Sequence, residues 1–190
     1  MTRFEESPQS NEMYKRLAGR LPLSGALAMA WFDKGGILQH LIQALKYANQ
    51  PAIGQFLGQY YARRLQACGY SFEGFSLVPI PLHPRKKSIR GYNQAEQICL
   101  GLQAELALPV LPSLLNRTRF TRTQTQMSGF KRQKNTEGAF ELRGNVPDRI
   151  LIVDDILTTG ATLTAACQPL LTSGGPAPEL MALTIGIAVA

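Results

Sequence analysis

The sequence is poor in the residues that build disulfide, zinc and membrane-spanning structures. Its 190 residues include three cysteines and two histidines, and Cys68, Cys99 and Cys167 stand far apart with no CxxC pair. This odd, scattered set of thiols indicates neither a disulfide framework nor a zinc site. No apolar run approaches the roughly 20 residues of a membrane span, and the polar N-terminus lacks the pattern of a signal peptide. These absences predict a protein of the reducing cytoplasm without membrane association.

The length of the chain favours one domain with a short extension, because two domains would be cramped in 190 residues. Residues 1–20 show no hydrophobic periodicity. We therefore expect a loose N-terminal arm over residues 1–24 and a single domain over residues 25–190.

Positive charge is concentrated in one segment. The net charge is +7, yet residues 85–134 alone carry ten Lys or Arg against two Glu, while the rest of the chain carries ten basic and eleven acidic residues. A local excess of this kind predicts a polyanionic partner, for which nucleic acid and a pyrophosphate substrate are the two candidates.

The stretch from Arg149 to Thr162 (RILIVDDILTTGAT) has the strongest chemical pattern. Four apolar residues, 150–153, predict a strand buried on both faces of a parallel sheet. Asp154 and Asp155 follow it, where ligands bind in open α/β sheets. The small, hydroxyl-rich turn 158–162 then opens a helix, which favours an anion site beside the two carboxylates. Together these groups suit a ribose 5-phosphate.

Other periodic segments alternate between the two types of secondary structure. We predict strands at 25–33, 75–80, 109–118, 140–143 and 179–189, and helices at 37–48, 52–67, 93–106 and 163–171. Strand 140–143 is expected to return to the central strand. This alternation predicts an α/β fold with a mostly parallel sheet.

The stretch 149–162 resembles the 5-phosphoribosyl-1-pyrophosphate (PRPP) signature of type I phosphoribosyltransferases. The resemblance implies that Asp154 and Asp155 hold the ribose hydroxyls. It also implies that the 5-phosphate is held by the turn residues Thr158, Thr159, Gly160, Ala161 and Thr162. It implies the Rossmann-like fold of that family, a central mostly parallel sheet flanked by helices, with a small N-terminal helical hood at residues 35–67. An acidic βα turn without a ligand is the alternative.

A basic segment, predicted to be a loop, follows the strand at 75–80. The sequence RGYNQAEQI resembles the Arg-Gly-Tyr-Asn-Gln pattern of the ComF branch of phosphoribosyltransferases, described as amidophosphoribosyltransferase-like. The resemblance implies pyrophosphate binding by Arg85, Lys86, Lys87 and Arg90, with Arg90 the strongest candidate. An arginine suits pairs of phosphate oxygens better than a lysine does. A solvated basic loop is the alternative.

Residues 117–135 form a long polar, basic stretch that cannot bury a core. They resemble the mobile loop that closes over PRPP in the family, and Thr125, Gln126 and Arg132 are the matching positions. An inert solvated loop is the alternative.

The resemblance implies magnesium-dependent transfer of the phosphoribosyl group from PRPP to a nitrogen nucleophile, with release of pyrophosphate. Arg90, Asp154 and Asp155 would be the catalytic residues, and magnesium would be held through the substrate rather than by a direct protein site. Thr158 stands where purine-salvage members carry a third carboxylate, so the resemblance does not point to a purine acceptor and leaves a small amine, ammonia or an anionic base open. Homodimers are common in that family. Many ComF members begin with a zinc module, so this chain would be a short form.

The same family is tied to competence for DNA uptake, which keeps a second function open. In this alternative the protein is a non-catalytic accessory that binds single-stranded DNA or a competence protein through its basic segment. Few aromatic residues are interleaved with that segment, and a surface on which bases stack usually has more of them. The sequence identifies no acceptor pocket, which favours the alternative.

Overall fold

A four-stranded parallel sheet forms the centre of the protein, which the computed structural model describes at residues 1–118 and 138–189. In spatial order the strands are β1 (Leu23–Phe32), β6 (Glu179–Ala188), β5 (Arg149–Leu157) and β2 (Ser76–Pro79). Each neighbouring pair is parallel. The predicted α/β fold with a central parallel sheet is therefore confirmed.

Helices cover both faces of the sheet. The helices are α1 (Glu12–Leu17), α2 (Ile37–Tyr47), α3 (Pro51–Ala67), α4 (Pro84–Arg90), α5 (Gln94–Leu106) and α6 (Ala161–Leu171). Helices α2, α3 and α5 pack on one face, while α1 and α6 pack on the other. A small antiparallel hairpin, β3 (Leu115–Arg117) and β4 (Phe140–Leu142), joins the second face. Helices α2 and α3 are the helical hood predicted at residues 35–67.

The central strand β5 is apolar on both sides because it separates two cores. Ile150 and Ile152 belong to the core under α1 and α6, whereas Leu151 and Val153 belong to the core under α2, α3 and α5. All four side chains are fully buried. Side chains on a strand alternate between faces, so a strand buried twice shows no polar alternation in its sequence.

Residues 1–24 correct one prediction, since they do not form a loose arm. Asn11 caps α1 by accepting a hydrogen bond from the Tyr14 N–H at 2.9 Å, and its own amide donates to the Ala26 carbonyl at 2.7 Å. Met13 and Leu17 of α1 are fully buried. The segment covers one face of β1, so this strand is buried on both faces.

The basic segment after β2 also differs from the prediction, because much of it is helical. Pro84 occupies the first turn of α4, and His83 Nδ1 accepts a hydrogen bond from the Arg85 N–H at 3.2 Å. Gly91 ends the helix with a φ of +80°. A proline at the start and a glycine in the left-handed region at the end are typical helix boundaries.

Strand β4 pairs with β3 rather than with the central strand, as had been predicted for residues 140–143. Phe140 lies opposite Arg117, and Leu142 lies opposite Leu115. Of the predicted strand at 109–118, only Leu115–Arg117 forms a ladder, and Val110 makes an isolated parallel bridge to Leu77. The two short strands thus form a separate hairpin beside the sheet.

Helices α3 and α5 approach each other through glycines. A Cβ atom built on Gly58 would lie 2.3 Å from the Ile98 carbonyl oxygen, and one built on Gly101 would lie 2.1 Å from the Gln55 carbonyl oxygen. Only residues without a side chain permit this backbone contact. The contact fixes α5, whose first residues follow the basic helix α4.

Candidate functional site

The two adjacent carboxylates of β5 face opposite sides of the sheet near its carboxyl edge. Asp155 points toward the hood, where its Oδ2 lies 2.6 Å from Lys46 Nζ at the end of α2. Asp154 points toward the hairpin, where Arg117 is a nearby positive charge. The Asp154 Oδ1 also accepts a hydrogen bond from the Asp155 N–H at 2.8 Å. This geometry holds the pair of carboxylates in a fixed orientation.

Burial raises the pKa of Asp154 to about 7, and the negative charge of Asp155 acts in the same direction. The Asp155 N–H, Lys46 and Arg117 oppose this rise in pKa because they stabilise the ionised form. A carboxyl group with such a pKa gains or loses its proton near neutral pH. Perturbed groups of this kind are concentrated at functional sites.

The raised pKa of Asp154 predicts a specific pH dependence of stability. Between about pH 4 and pH 7 the folded protein keeps a proton that the unfolded chain has released, so the free energy of unfolding falls as the pH rises. We expect Asp154→Asn to remove this dependence. Between pH 5 and pH 8 the wild-type protein should lose roughly 2 kcal/mol of its free energy of unfolding, and the variant should not lose it. Urea denaturation at the two pH values measures the difference.

A matched control for this experiment is Asp148→Asn, because Asp148 is an exposed acid just before the other end of β5. Its substitution should leave the pH dependence of unfolding as in wild type. An Asp154→Asn variant whose stability changes with pH in parallel with wild type would contradict the assignment.

The turn predicted to bind the 5-phosphate follows β5 directly. Gly160 has a φ of +78° and occupies the N-cap position of α6, and Thr159 Oγ1 accepts a long hydrogen bond from the Ala161 N–H at 3.4 Å. Thr158 is exposed, Thr162 is half-buried and Ala161 is buried. The N–H groups of the first helical turn and the hydroxyl groups therefore surround one end of α6, where the helix dipole favours an anion.

Helix α4 places two of the four basic candidates on the side of the hood that carries Lys46. Burial lowers the pKa of Lys86, and the positive charges of Arg117, Arg90 and Lys46 lower it further, so each of these three cations lies near Lys86. The Arg90 guanidinium lies 5.3 Å from the ring centre of Tyr47, the residue after Lys46. Lys86 and Arg90 thus face the side of the site that Lys46 occupies.

The other two basic candidates lie elsewhere on α4. Lys87 is exposed, and its Nζ lies 3.7 Å from a Glu96 carboxylate oxygen. Lys87 and Arg143 both line a cavity of about 600 Å³. Arg85 is exposed at the first turn of the helix. Both side chains are exposed in this structure, and their contact with pyrophosphate stays a prediction.

The residues that follow Arg90 hold its helix in place. The Tyr92 hydroxyl donates to the Leu45 carbonyl at 2.6 Å, and the Asn93 amide donates to the Ile80 carbonyl at 3.0 Å. Arg90 Nη1 donates to Gln94 Oε1 at 2.9 Å. These side chains of the RGYNQ sequence connect the hood, the end of β2 and α5, so they fix the position of the arginine.

The structure adds Arg117 and Lys46 to the site. The Arg117 guanidinium lies 5.2 Å from the ring centre of Phe140 and is almost completely buried. Burial lowers the pKa of Arg117, while Asp154 opposes this change. No sequence signal distinguished Arg117 from the other basic residues, because its position depends on the pairing of β3 with β4.

Three of the predicted site residues cannot be compared with the structure. Thr125, Gln126 and Arg132, and most of the predicted mobile loop 117–135, lie outside the described residues.

Comparison with known proteins shows the family to which this chain belongs. The sequence profile of the phosphoribosyl transferase domain matches residues 104–190, which include the acid pair and the turn. Competence protein F of Haemophilus influenzae is 33% identical over 146 residues, which are 70% of this chain and 64% of that protein. The chain belongs to the ComF family of phosphoribosyltransferase-like proteins. The predicted family is therefore confirmed.

Two further ComF-family relatives show the extent of the similarity. DNA utilization protein YhgH of Escherichia coli K12 is 32% identical over 153 residues, covering 77% of this chain and 66% of the relative. Competence protein ComFC of Bacillus subtilis is 32% identical over 107 residues, covering 55% of this chain and 42% of that protein. The chain spans just under two thirds of the length of the first two relatives. In the part that the structure describes, no helix is long and apolar enough to cross a membrane.

Proposed function

We propose that this ComF-family protein binds PRPP and transfers its phosphoribosyl group to a nitrogen nucleophile. The observation that carries the proposal is that three groups lie at or just after the carboxyl ends of two neighbouring parallel strands, β5 and β2. These are the acid pair Asp154 and Asp155, the turn 158–162, and the cations Lys86 and Arg90. Ligands bind at this edge in open α/β sheets.

Each group matches one part of PRPP. Ionised Asp154 and Asp155 accept hydrogen bonds from the ribose hydroxyls. The N–H groups at the start of α6 and the hydroxyls of the turn bind the 5-phosphate. Lys86 and Arg90 compensate the negative charge that develops on the departing pyrophosphate. The sugar is thereby fixed between two anion sites, with its anomeric carbon exposed to a nucleophile.

Magnesium fits this arrangement as an ion held mainly by the substrate. Within residues 1–118 and 138–189 no cluster of three or more His, Cys, Asp or Glu side chains is arranged to hold a metal. Magnesium is commonly bound by one or two carboxylates together with phosphate oxygens and water, which suits Asp154 and Asp155. When bound to the diphosphate, it would supply Lewis-acid stabilisation of the leaving group.

Lys46 adds a feature to this proposal. Its ion pair with Asp155 is half-buried, and the lysine stands between the hood and the acid pair. Ribose hydroxyls that bind Asp155 must share this carboxylate with Lys46 or displace the lysine. A displaced ammonium group would lie close to Arg90 and Lys86, where an incoming pyrophosphate compensates the added positive charge.

Calorimetric titration of magnesium-PRPP into the wild-type protein at physiological salt tests the proposal. We expect saturable binding with one site per chain, and weaker binding of magnesium-pyrophosphate because this ligand lacks the ribose and the 5-phosphate. Release of pyrophosphate in the presence of ammonia or a set of amines and bases then identifies the acceptor. A folded protein that binds no PRPP at ligand concentrations in the millimolar range would contradict the proposal.

A second function is favoured by the exposed part of α4 and by the relatives named for competence and DNA utilization. Arg85 and Lys87 are exposed on α4. In this alternative they contact the phosphates of single-stranded DNA. Binding would then weaken steeply as the salt concentration rises, because neutralised phosphates release counterions. Arg85→Gln with Lys87→Gln should weaken DNA binding and make it less dependent on salt, because two phosphate contacts are lost.

A further inference from the structure

The end of helix α1 contacts the turn 158–162. A Cβ atom built on Gly160 would lie 2.6 Å from Leu17 Cδ2 and 3.1 Å from Arg20 Nη2. Leu17 is fully buried and Arg20 is half-buried. The segment predicted as a loose arm therefore forms one wall of the turn, and a guanidinium group lies directly against Gly160.

The backbone after α1 directs Arg20 to this position. Gly19 adopts a φ of +76°, and the N–H groups of Arg20 and Leu21 both donate to the Leu17 carbonyl at 3.1 Å. The Arg20 guanidinium donates to the Arg16 carbonyl. In the described part of the chain, no carboxylate forms an ion pair with Arg20. Among the described residues, its positive charge thus lies beside the turn without an acidic partner.

The N-terminal segment is fixed to the rest of the protein at several points, so this position is well defined. Arg64 pairs with the buried carboxylate of Glu5. Arg16 Nη1 donates to the carbonyl of Ala188, the last residue of β6, at 2.6 Å. These contacts connect the segment to α3 on one side and to β6 on the other, and they hold α1 against α6.

The turn itself lacks a positive side chain. Helix α6 contains no Lys, Arg, Asp or Glu, and the turn before it offers only N–H and hydroxyl groups. A phosphate monoester carries between one and two negative charges at neutral pH. Hydrogen bonds from a charged donor are roughly twice as strong as those from neutral donors, and arginine matches a pair of phosphate oxygens.

We propose that Arg20 binds the 5-phosphate of the sugar phosphate in the turn 158–162. This inference rests on the proposed PRPP site and assigns to it a residue from outside the signature sequence. Arg20 complements the neutral turn with one positive charge, so the ligand's 5-phosphate contacts both the start of α6 and the segment after α1.

Binding of three ligands to two variants tests this role. The ligands are magnesium-PRPP, ribose 5-phosphate, which has the 5-phosphate alone, and magnesium-pyrophosphate, which lacks it. We expect Arg20→Gln to weaken binding of PRPP and ribose 5-phosphate by about 10- to 100-fold, since a charged donor is lost, and to leave pyrophosphate binding unchanged. Arg20→Lys should recover part of the loss. Lys15→Gln, an exposed change of equal charge on α1, should bind all three ligands as wild type does.

The outcomes separate this inference from the proposed function. If Arg20→Gln binds ribose 5-phosphate and PRPP as wild type does, Arg20 has no role in phosphate binding, and the PRPP site stands. If Arg20→Gln lowers thermal stability and weakens all three ligands equally, its role is structural and the inference fails. If wild type binds ribose 5-phosphate through Arg20 but neither PRPP nor pyrophosphate, the inference stands and the transferase proposal fails. A wild-type protein that binds none of the three contradicts both.

Discussion

Asp154→Asn combined with Asp155→Asn is expected to lower the affinity for magnesium-PRPP by about 100-fold or more. Each ionised carboxylate accepts a hydrogen bond from a ribose hydroxyl, and a hydrogen bond to a charged group contributes roughly 1.5–3 kcal/mol. An asparagine keeps the shape of the side chain but has no charge and only one acceptor oxygen. The variant also removes the ion pair between Lys46 and Asp155, whose charged atoms lie 2.6 Å apart in the wild-type protein.

Calorimetry measures this loss, and unfolding experiments show whether the variant is folded. Asp148→Asn serves as the matched control, because it changes an exposed aspartate just before the opposite end of the same strand. It should bind PRPP as wild type does. A double variant that retains wild-type affinity would show that PRPP, if bound, does not contact the acid pair.

The affinity of the wild-type protein should also rise with pH near neutrality. The pKa of Asp154 is raised to about 7, so a substantial fraction of the protein carries a protonated Asp154 at pH 7. A ligand that prefers the ionised carboxylate must release this proton when it binds. Affinity should therefore increase by up to about tenfold per pH unit below pH 7 and level off above it. Because PRPP itself titrates, Asp154→Asn is the reference from which the ligand's own contribution is subtracted.

The second large effect is expected from Gly101→Ala, which places a methyl group where the backbones of α3 and α5 touch. The new Cβ would lie 2.1 Å from the Gln55 carbonyl oxygen and 2.8 Å from the Gln55 carbonyl carbon. These neighbours are backbone atoms, so relief requires the two helices to separate. Overpacking of this kind destabilises proteins by about 1–3 kcal/mol and sometimes more.

Chemical denaturation measures the destabilisation of Gly101→Ala, and Gly175→Ala is its control. A Cβ atom on Gly175 meets no atom within 4 Å, so this substitution should leave the stability nearly unchanged. If Gly101→Ala were as stable as wild type, the close helix contact would not exist. The result also concerns the site, because Asn93 and Gln94 at the start of α5 position Arg90.

The parts of the site that the sequence predicted are contiguous in the chain. Strand β5, the acid pair and the turn lie within fourteen residues, and each has a local signature. A buried strand requires an apolar run, and the turn into α6 requires Gly160 because its φ is +78°. Such local requirements can be read without knowledge of the tertiary structure.

The N-terminal segment could not be predicted in this way. Helix α1 has six residues, which is too short to show a periodic pattern, and its fully buried apolar side chains are Met13 and Leu17. A helix of this length is marginal by itself and is stabilised here by tertiary packing. The position of Arg20 beside Gly160 follows from that packing, so no motif in the sequence indicates it.

The basic segment was misassigned for a different reason. Its helix-boundary signals were present, with Pro84 at the start and Gly91 at the end, but the high density of charge favoured a loop. The helical structure has a functional consequence, because successive residues of a helix point in different directions. Lys86 and Arg90 are four residues apart and share a face, whereas Lys87 turns toward Glu96.

A crystal structure of the protein with magnesium-PRPP would test the central claim most directly. We predict the 5-phosphate against residues 158–162 with the Arg20 guanidinium beside it, the ribose hydroxyls on Asp154 and Asp155, and the pyrophosphate facing Arg90 and Lys86. PRPP bound away from the carboxyl edge of the sheet, or bound there with its ribose hydroxyls away from both aspartates, would contradict the assignment.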